Sequence, residues 1–181
     1  MGKVIQKSEI DKWLNLEKHI SGKKLINGKK LIFNFSKENA LQLKLSSNEV
    51  DFTFEYKITL NTLAGCKISM HHQENKHYTP IVRIDYNGRH RNPPYKDNVP
   101  MYFKEFSDMW INESHIHIYV EGHGSNWAIP LSKSDFLIKS IDNTNINSNF
   151  ASAVQAFNEY INLKNEIELI RDPTVYFDEL D

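Results

Sequence analysis

A single cysteine, Cys66, stands among 181 residues, so an internal disulfide is excluded and a thiolate metal cluster has no support. No apolar run approaches the ~18 residues that a membrane-spanning helix needs, and no membrane partner is expected. No basic segment followed by an apolar run opens the chain, which leads us to expect a reducing, cytoplasmic setting. Met1-Gly2 matches the start of a myristoylation signal, but Gln6 stands where that signal has Ser or Thr. Charge of one sign is lacking as well: 22 basic residues face 23 acidic ones, for a net charge of −1. Any attraction to nucleic acid must therefore be local. There is no internal repeat and no domain-scale linker.

What is present suits one globular domain over residues 1–181. Hydrophobic residues make up 40% and charged residues 25%, with 12% aromatics to fill a core. Ser8 followed by Asp11 reads as a helix start, with Ile10, Trp13, Leu14 and Ile20 on one side and Gly22 as the stop. The period then changes to two at Leu31, Phe33 and Phe35, at Leu41, Leu43 and Leu45, and at Phe52, Phe54, Tyr56, Ile58 and Leu60. Short polar breaks between these runs predict an antiparallel meander. Lys67 to Met70 and Ile81 to Tyr86 read as further strands, Tyr102 to Trp110 as a short helix, and His115 to Val120 as a strand with Trp127 to Leu131 as its hairpin partner. Phe150, Val154, Phe157 and Ile161 mark a helix that Asp172-Pro173 would end, ahead of an acidic tail at 172–181. The expected fold is α+β: a mostly antiparallel sheet with an N-terminal helix and a long C-terminal helix packed on one face.

Chemistry concentrates in the middle of the chain. Between Lys67 and Lys96, six basic residues (Lys67, Lys76, Arg83, Arg89, Arg91, Lys96) oppose two acids (Glu74, Asp85), and seven of the eight histidines fall between His71 and His123. Side chains alternate across a strand, so His115, His117, Tyr119 and Glu121 are expected on one side and Ile116, Ile118 and Val120 on the other. Arg83 and Asp85 share a side opposite Val82 and Ile84 in the same way. If both strands lie in one sheet, the two polar sets meet on its open face; the plainer reading is a solvated outer surface. His71, His72 and His77 read as spacers in a loop, and Trp110 and Trp127 as packing residues.

Arg83-Ile84-Asp85, Gly88, His90-Arg91-Asn92-Pro93, the run His115 to Gly124, and Trp127-Ala128-Ile129-Pro130-Leu131 resemble a family of small bacterial and phage proteins with R-x-D, a glycine, H-x-N-P, H-x-H-x-Y-x-E-G-x-G and W-A-x-P-L in that order. The resemblance covers residues 77–131. The long segment between Asn92 and His115 and the short step from Gly88 to His90 depart from it, leaving the loop geometry open. More distantly, the order of motifs is similar to TumE-like toxins of toxin-antitoxin pairs, which implies ribonuclease activity and an antitoxin partner. Analogy with small anti-CRISPR proteins that trim guide RNA adds a Cas9-guide RNA complex as a possible target.

The first expectation is therefore a metal-independent endoribonuclease with no cofactor. Attack by the RNA 2′-hydroxyl needs a base, an acid and a cation for the phosphorane. His90 and His117 are the expected acid-base pair with His115 as alternate, Arg83 would hold the phosphate, Asp85 or Glu121 would orient a histidine, and Tyr119 would stack on a base or donate to phosphate. Arg89, Arg91, Asn92, Lys96 and His123 would bind the RNA. Two alternatives stay open: a metal-dependent hydrolase in which His90 or His123 joins His115 and His117 as ligands, and a non-catalytic inhibitor that uses the acidic tail to cover a basic partner surface.

Overall fold

The computed structural model describes residues 4–49, 52–61, 67–141 and 146–170. Cys66, the Asp172-Pro173 helix stop and the acidic tail at 172–181 lie outside the described residues, as does part of the Asn-rich stretch that precedes the C-terminal helix. The chain runs α1 (Lys7–Asn15), β1 (Lys18–Ser21), β2 (Lys30–Asn34), β3 (Ala40–Ser47), β4 (Thr53–Asn61), β5 (Lys67–Glu74), β6 (Thr79–Tyr86) and β7 (His90–Arg91). A 3-10 turn at Met101–Phe106 precedes β8 (Trp110–Ile111), β9 (His115–Ile118) and β10 (Ala128–Pro130); α2 (Ile146–Tyr160) and β11 (Glu166–Ile170) complete the order.

Seven strands form one sheet in the order β1-β3-β4-β5-β6-β9-β10, with antiparallel pairing throughout. Strict alternation gives the sheet two unlike faces. Leu41, Leu43, Phe54, Tyr56, Ile58, Met70, Val82, Ile84 and Ile116 lie on the apolar face and are buried, each adding roughly 1.5–3 kcal/mol by leaving water. Lys57, Thr59, Ser69, His71, Arg83 and Asp85 occupy the intervening positions and line the opposite face. Register places Lys57, His71, Arg83 and His117 in one row across β4, β5, β6 and β9, and Thr59, Ser69, Asp85 and His115 in the next. The segment between β6 and β9, which carries β7, the 3-10 turn and β8, closes over the β9–β10 end. Phe103 packs on Trp127 there with ring centroids 5.4 Å apart.

The C-terminal expectation is corrected. Among the described residues there is no long C-terminal helix packed on one face of the sheet; they are mostly antiparallel strand with two short helices. The helical face is real, since Phe150, Val154, Phe157 and Ile161 are all buried, but the helix stops at Tyr160. Asn162 then takes φ 57°, a left-handed conformation that asparagine tolerates and that commonly ends helices. Ile167 and Leu169 alternate with Glu166 and Glu168 in β11, which pairs in parallel with β2. Thus β2 belongs to a separate ribbon and not to the meander. Its expected place beside β3 is taken by β1, where Ile20 shares the buried face with Lys18, His19 lying between them on the other side, and does not extend the helix. Among the described residues no helix is long and apolar enough to cross a membrane.

Candidate functional site

The two rows of the polar face end in a cluster. Arg83 and Asp85 leave β6 on the side opposite Val82 and Ile84, and antiparallel register sets His117 across from Arg83 and His115 across from Asp85. His90 enters from β7, its ring centroid 4.5 Å from that of His117 and 5.8 Å from that of His115. Arg83 Nε donates to Asp85 Oδ2 at 2.8 Å, and Arg83 Nη2 lies 2.7 Å from His117 Nε2. Asp85 Oδ2 is also 3.5 Å from His115 Nε2 and 3.3 Å from His117 Nε2. Gly88 permits this closeness, because a Cβ there would sit 3.1 Å from Asp85 Cβ and 3.2 Å from His115 Cε1.

Backbone carbonyls set the tautomers. His115 Nδ1 is 2.8 Å from Glu113 O, His117 Nδ1 is 3.0 Å from Ser125 O, and His90 Nε2 is 3.0 Å from Asn126 O. A carbonyl only accepts, so each of those nitrogens carries the proton. In the neutral rings the lone pairs then lie on Nε2 of His115, Nε2 of His117 and Nδ1 of His90. The contact with Arg83 agrees, because a guanidinium only donates and His117 Nε2 must accept. His115 and His117 are each 1% exposed, against 19% for Asp85 and 38% for Arg83, so the guanidinium is the cluster's outward group.

Electrostatics follow from this packing. Burial pushes the Asp85 carboxyl up, but the charge of Arg83, which donates to Oδ2 from Nε, and a hydrogen bond from Ser69 oppose it, and Asp85 stays ionised below the ordinary carboxylate range. Burial lowers His117, and Arg83 adds to that while Asp85 opposes it. Burial, followed by repulsion from His117, pushes His90 down to about 4. All of this suits neutral His90 and His117 rings beside one guanidinium and one carboxylate at pH 7.

Outside the cluster, Thr59 and Ser69 are shared by two adjoining depressions on the open face, one reaching Lys57, His71 and Arg83 and the other Lys67, Asp85 and Arg89. Together they make a basic trough that leads to Asp85. His90 is reached from a further cleft of about 540 Å³, which Arg91, Pro93, Asp108 and Asn126 also line.

A family model matches residues 5–163, a span that includes every member of the cluster. The chain belongs to DUF6978, a family of unknown function. No significant match to a curated protein or to a solved structure was found.

This DUF6978 chain brings Arg83, Asp85, His90, His115 and His117 together, keeps Arg89 at the trough, and sends the other expected site residues elsewhere. The chain leaves the sheet after Ile118, and Gly122 at φ 77° turns it back so that Val120 bridges Gly124. Alternation therefore stops before Tyr119 and Glu121. Tyr119 Oη accepts from Ile5 N and donates to Ile5 O, and Glu121 accepts from Lys7 N, so both anchor the N-terminal segment. His123 bonds Asn98, and Arg91 pairs with Asp108 at 2.9 Å. Asn92 is buried and ties the covering segment to β10 by donating to Phe106 O and Ala128 O and accepting from Ala128 N. Lys96 is exposed on that segment. Arg89 reaches the trough while its guanidinium lies 4.2 Å over the Trp110 ring.

Four positions were missed or misplaced. His71 and His72 belong to β5 and not to a loop; His71 faces the trough, whereas His72 is buried beside Phe54. Lys57 and Ser69 join the polar rows by the same alternation that revealed Arg83 and Asp85, and reading β4 and β5 for their outward residues would have found them. His77 does sit in a turn, stacked on Trp13. Trp127 is core as expected, but Trp110 is 50% exposed.

Proposed function

We propose that this protein is an endoribonuclease acting in the cytoplasm, in a toxin-like or counter-defence role, on free RNA or on the RNA of a Cas9-guide complex. One observation carries the reading: three imidazoles, a guanidinium and an ionised carboxylate converge at the end of a basic trough. Lys57, Lys67 and Arg89 would attract the phosphate backbone along it. His90, neutral at pH 7 and open to its own cleft, takes the 2′-hydroxyl proton on Nδ1 as that oxygen attacks phosphorus. Arg83 swings from His117 to the phosphorane oxygens, where a fork of donors is most effective. With the guanidinium gone and Asp85 beside it, His117 takes a proton from water on Nε2, and the imidazolium so formed protonates the departing 5′-oxygen. The products are a 2′,3′-cyclic phosphate and a 5′-hydroxyl.

The test is incubation of purified protein with labelled single-stranded RNA, structured RNA and a Cas9-guide complex, with and without EDTA. Cleavage in EDTA that leaves cyclic phosphate ends supports the mechanism. Intact RNA in every arm overturns it.

A further inference from the structure

Within the cluster, three electron-pair donors are held together, and the protons that reach them come from Arg83. His115 and His117 each spend their N–H on a backbone carbonyl, Glu113 O at 2.8 Å and Ser125 O at 3.0 Å, so both present an Nε2 lone pair. Both lone pairs face the same carboxylate oxygen, Asp85 Oδ2, at 3.5 and 3.3 Å. Two acceptors aimed at a third repel unless a cation lies among them. In this structure Arg83 serves two of the three, Asp85 and His117.

The spacing matches a metal site. A tetrahedral zinc-class ion takes nitrogen and oxygen ligands at about 2.0–2.1 Å, which sets the ligand atoms about 3.3–3.4 Å apart; the two separations from Asp85 bracket that value. Metal-binding histidines commonly donate their other N–H to a carbonyl or carboxylate, which fixes the ring and its tautomer. Here that support is already in place on both rings. The mixed imidazole and carboxylate set suits zinc or cobalt better than the all-oxygen preference of magnesium or calcium.

We propose that Asp85, His115 and His117 bind a divalent transition-metal ion of the zinc class, and that Arg83 is the resident cation the ion displaces. Guanidinium and metal compete for the same His117 lone pair and the same Asp85 oxygen, so the two states exclude each other. One consequence rests on the ribonuclease reading: a bound ion takes the lone pair on which His117 must receive a proton, and so switches cleavage off. Ion binding itself needs only the geometry.

The experiment uses the full chain stripped with chelator and titrated with Co²⁺, read by the visible absorption of tetrahedral cobalt, and with Zn²⁺ by calorimetry. One equivalent should bind. Asp85→Ala and His115→Ala should weaken binding by about 100-fold or more, a larger loss than the roughly 10–100-fold typical of outer-shell changes, while His19→Ala, at an exposed position, should bind as the wild type does. Arg83→Ala should bind Co²⁺ more tightly, by roughly tenfold if two charge-assisted hydrogen bonds no longer compete. Circular dichroism confirms that each variant is folded. Absence of cobalt binding, or Arg83→Ala binding no more tightly than the wild type, overturns the site. RNA cleavage in EDTA is read separately, and is repeated with the stripped protein in chelator-free buffer with one equivalent of Zn²⁺. Cobalt binding without cleavage in either condition overturns the ribonuclease reading and leaves the ion site standing; cleavage in EDTA without cobalt binding does the reverse. Cleavage that Zn²⁺ leaves undiminished overturns the switch.

Discussion

Gly88→Ala probes how tightly the cluster is assembled. The added methyl would meet Asp85 Cβ at 3.1 Å and His115 Cε1 at 3.2 Å, several tenths of an ångström inside the roughly 3.5–4.0 Å at which carbon atoms rest against each other. Neither neighbour is a free tip. Asp85 is paired on both sides, to β5 and β9, and the His115 ring is pinned by its bond to Glu113 O. Overpacking of this kind costs about 1–3 kcal/mol. Gly88 does not have a positive φ, so alanine also removes freedom from the unfolded chain and returns about 0.4–1 kcal/mol. The net expectation is a destabilisation of about 0–2.6 kcal/mol, seen as a lower urea midpoint at unchanged slope, together with weaker Co²⁺ binding as the His115 ring shifts. A midpoint equal to or above that of the wild type, with cobalt affinity intact, would refute the claim that Gly88 is the spacer between Asp85 and His115.

Asn92→Ala should destabilise by about 2–4 kcal/mol, because it strands the N–H and the carbonyl of Ala128 in a buried site; urea unfolding reads the loss, and a change below 1 kcal/mol would contradict it. Arg91→Ala removes an ion pair whose side chains are 53% and 56% exposed, so the same assay should show less than about 1 kcal/mol. Lys18 is buried, donates to Leu14 O, Leu16 O and Ile161 O, and burial pushes its ammonium down from 10.5 to about 7. Between those values the unfolded chain holds a proton that the folded chain lacks, so this group makes stability rise with pH, by up to about 1.4 kcal/mol per unit. Wild-type protein should gain stability relative to Lys18→Met from about pH 7 to about pH 9.5 in parallel denaturation series; a constant difference would show that the three carbonyls keep Lys18 charged.

Much of the site was legible because alternation is a local rule that long strands obey. Arg83 and Asp85 sit between Val82, Ile84 and Tyr86, and β6 keeps that pattern to its end. His115 and His117 follow the same rule and meet them by register. The rule failed where the backbone stops being a strand: Tyr119 and Glu121 carry the right spacing, but β9 ends at Ile118. Partners far apart in sequence were also hidden. Leu31 and Phe33 read as the first strand of a meander, yet β2 pairs with β11 more than 130 residues away. Asn162 carried the signal that the C-terminal helix stops early, and Ile167 and Leu169 carried the strand period after it. The arrival of His90 over His117 depends on Asn92 anchoring the covering segment to Ala128, a contact no periodicity reports.

The most direct measurement compares wild type with His90→Ala in EDTA on labelled RNA, reading both the rate and the product ends. The account predicts that wild-type protein leaves 2′,3′-cyclic phosphate ends and that His90→Ala, folded and still able to bind RNA, cuts at least about 100-fold more slowly. Equal rates for the two proteins, or no cleavage by wild type, would contradict it.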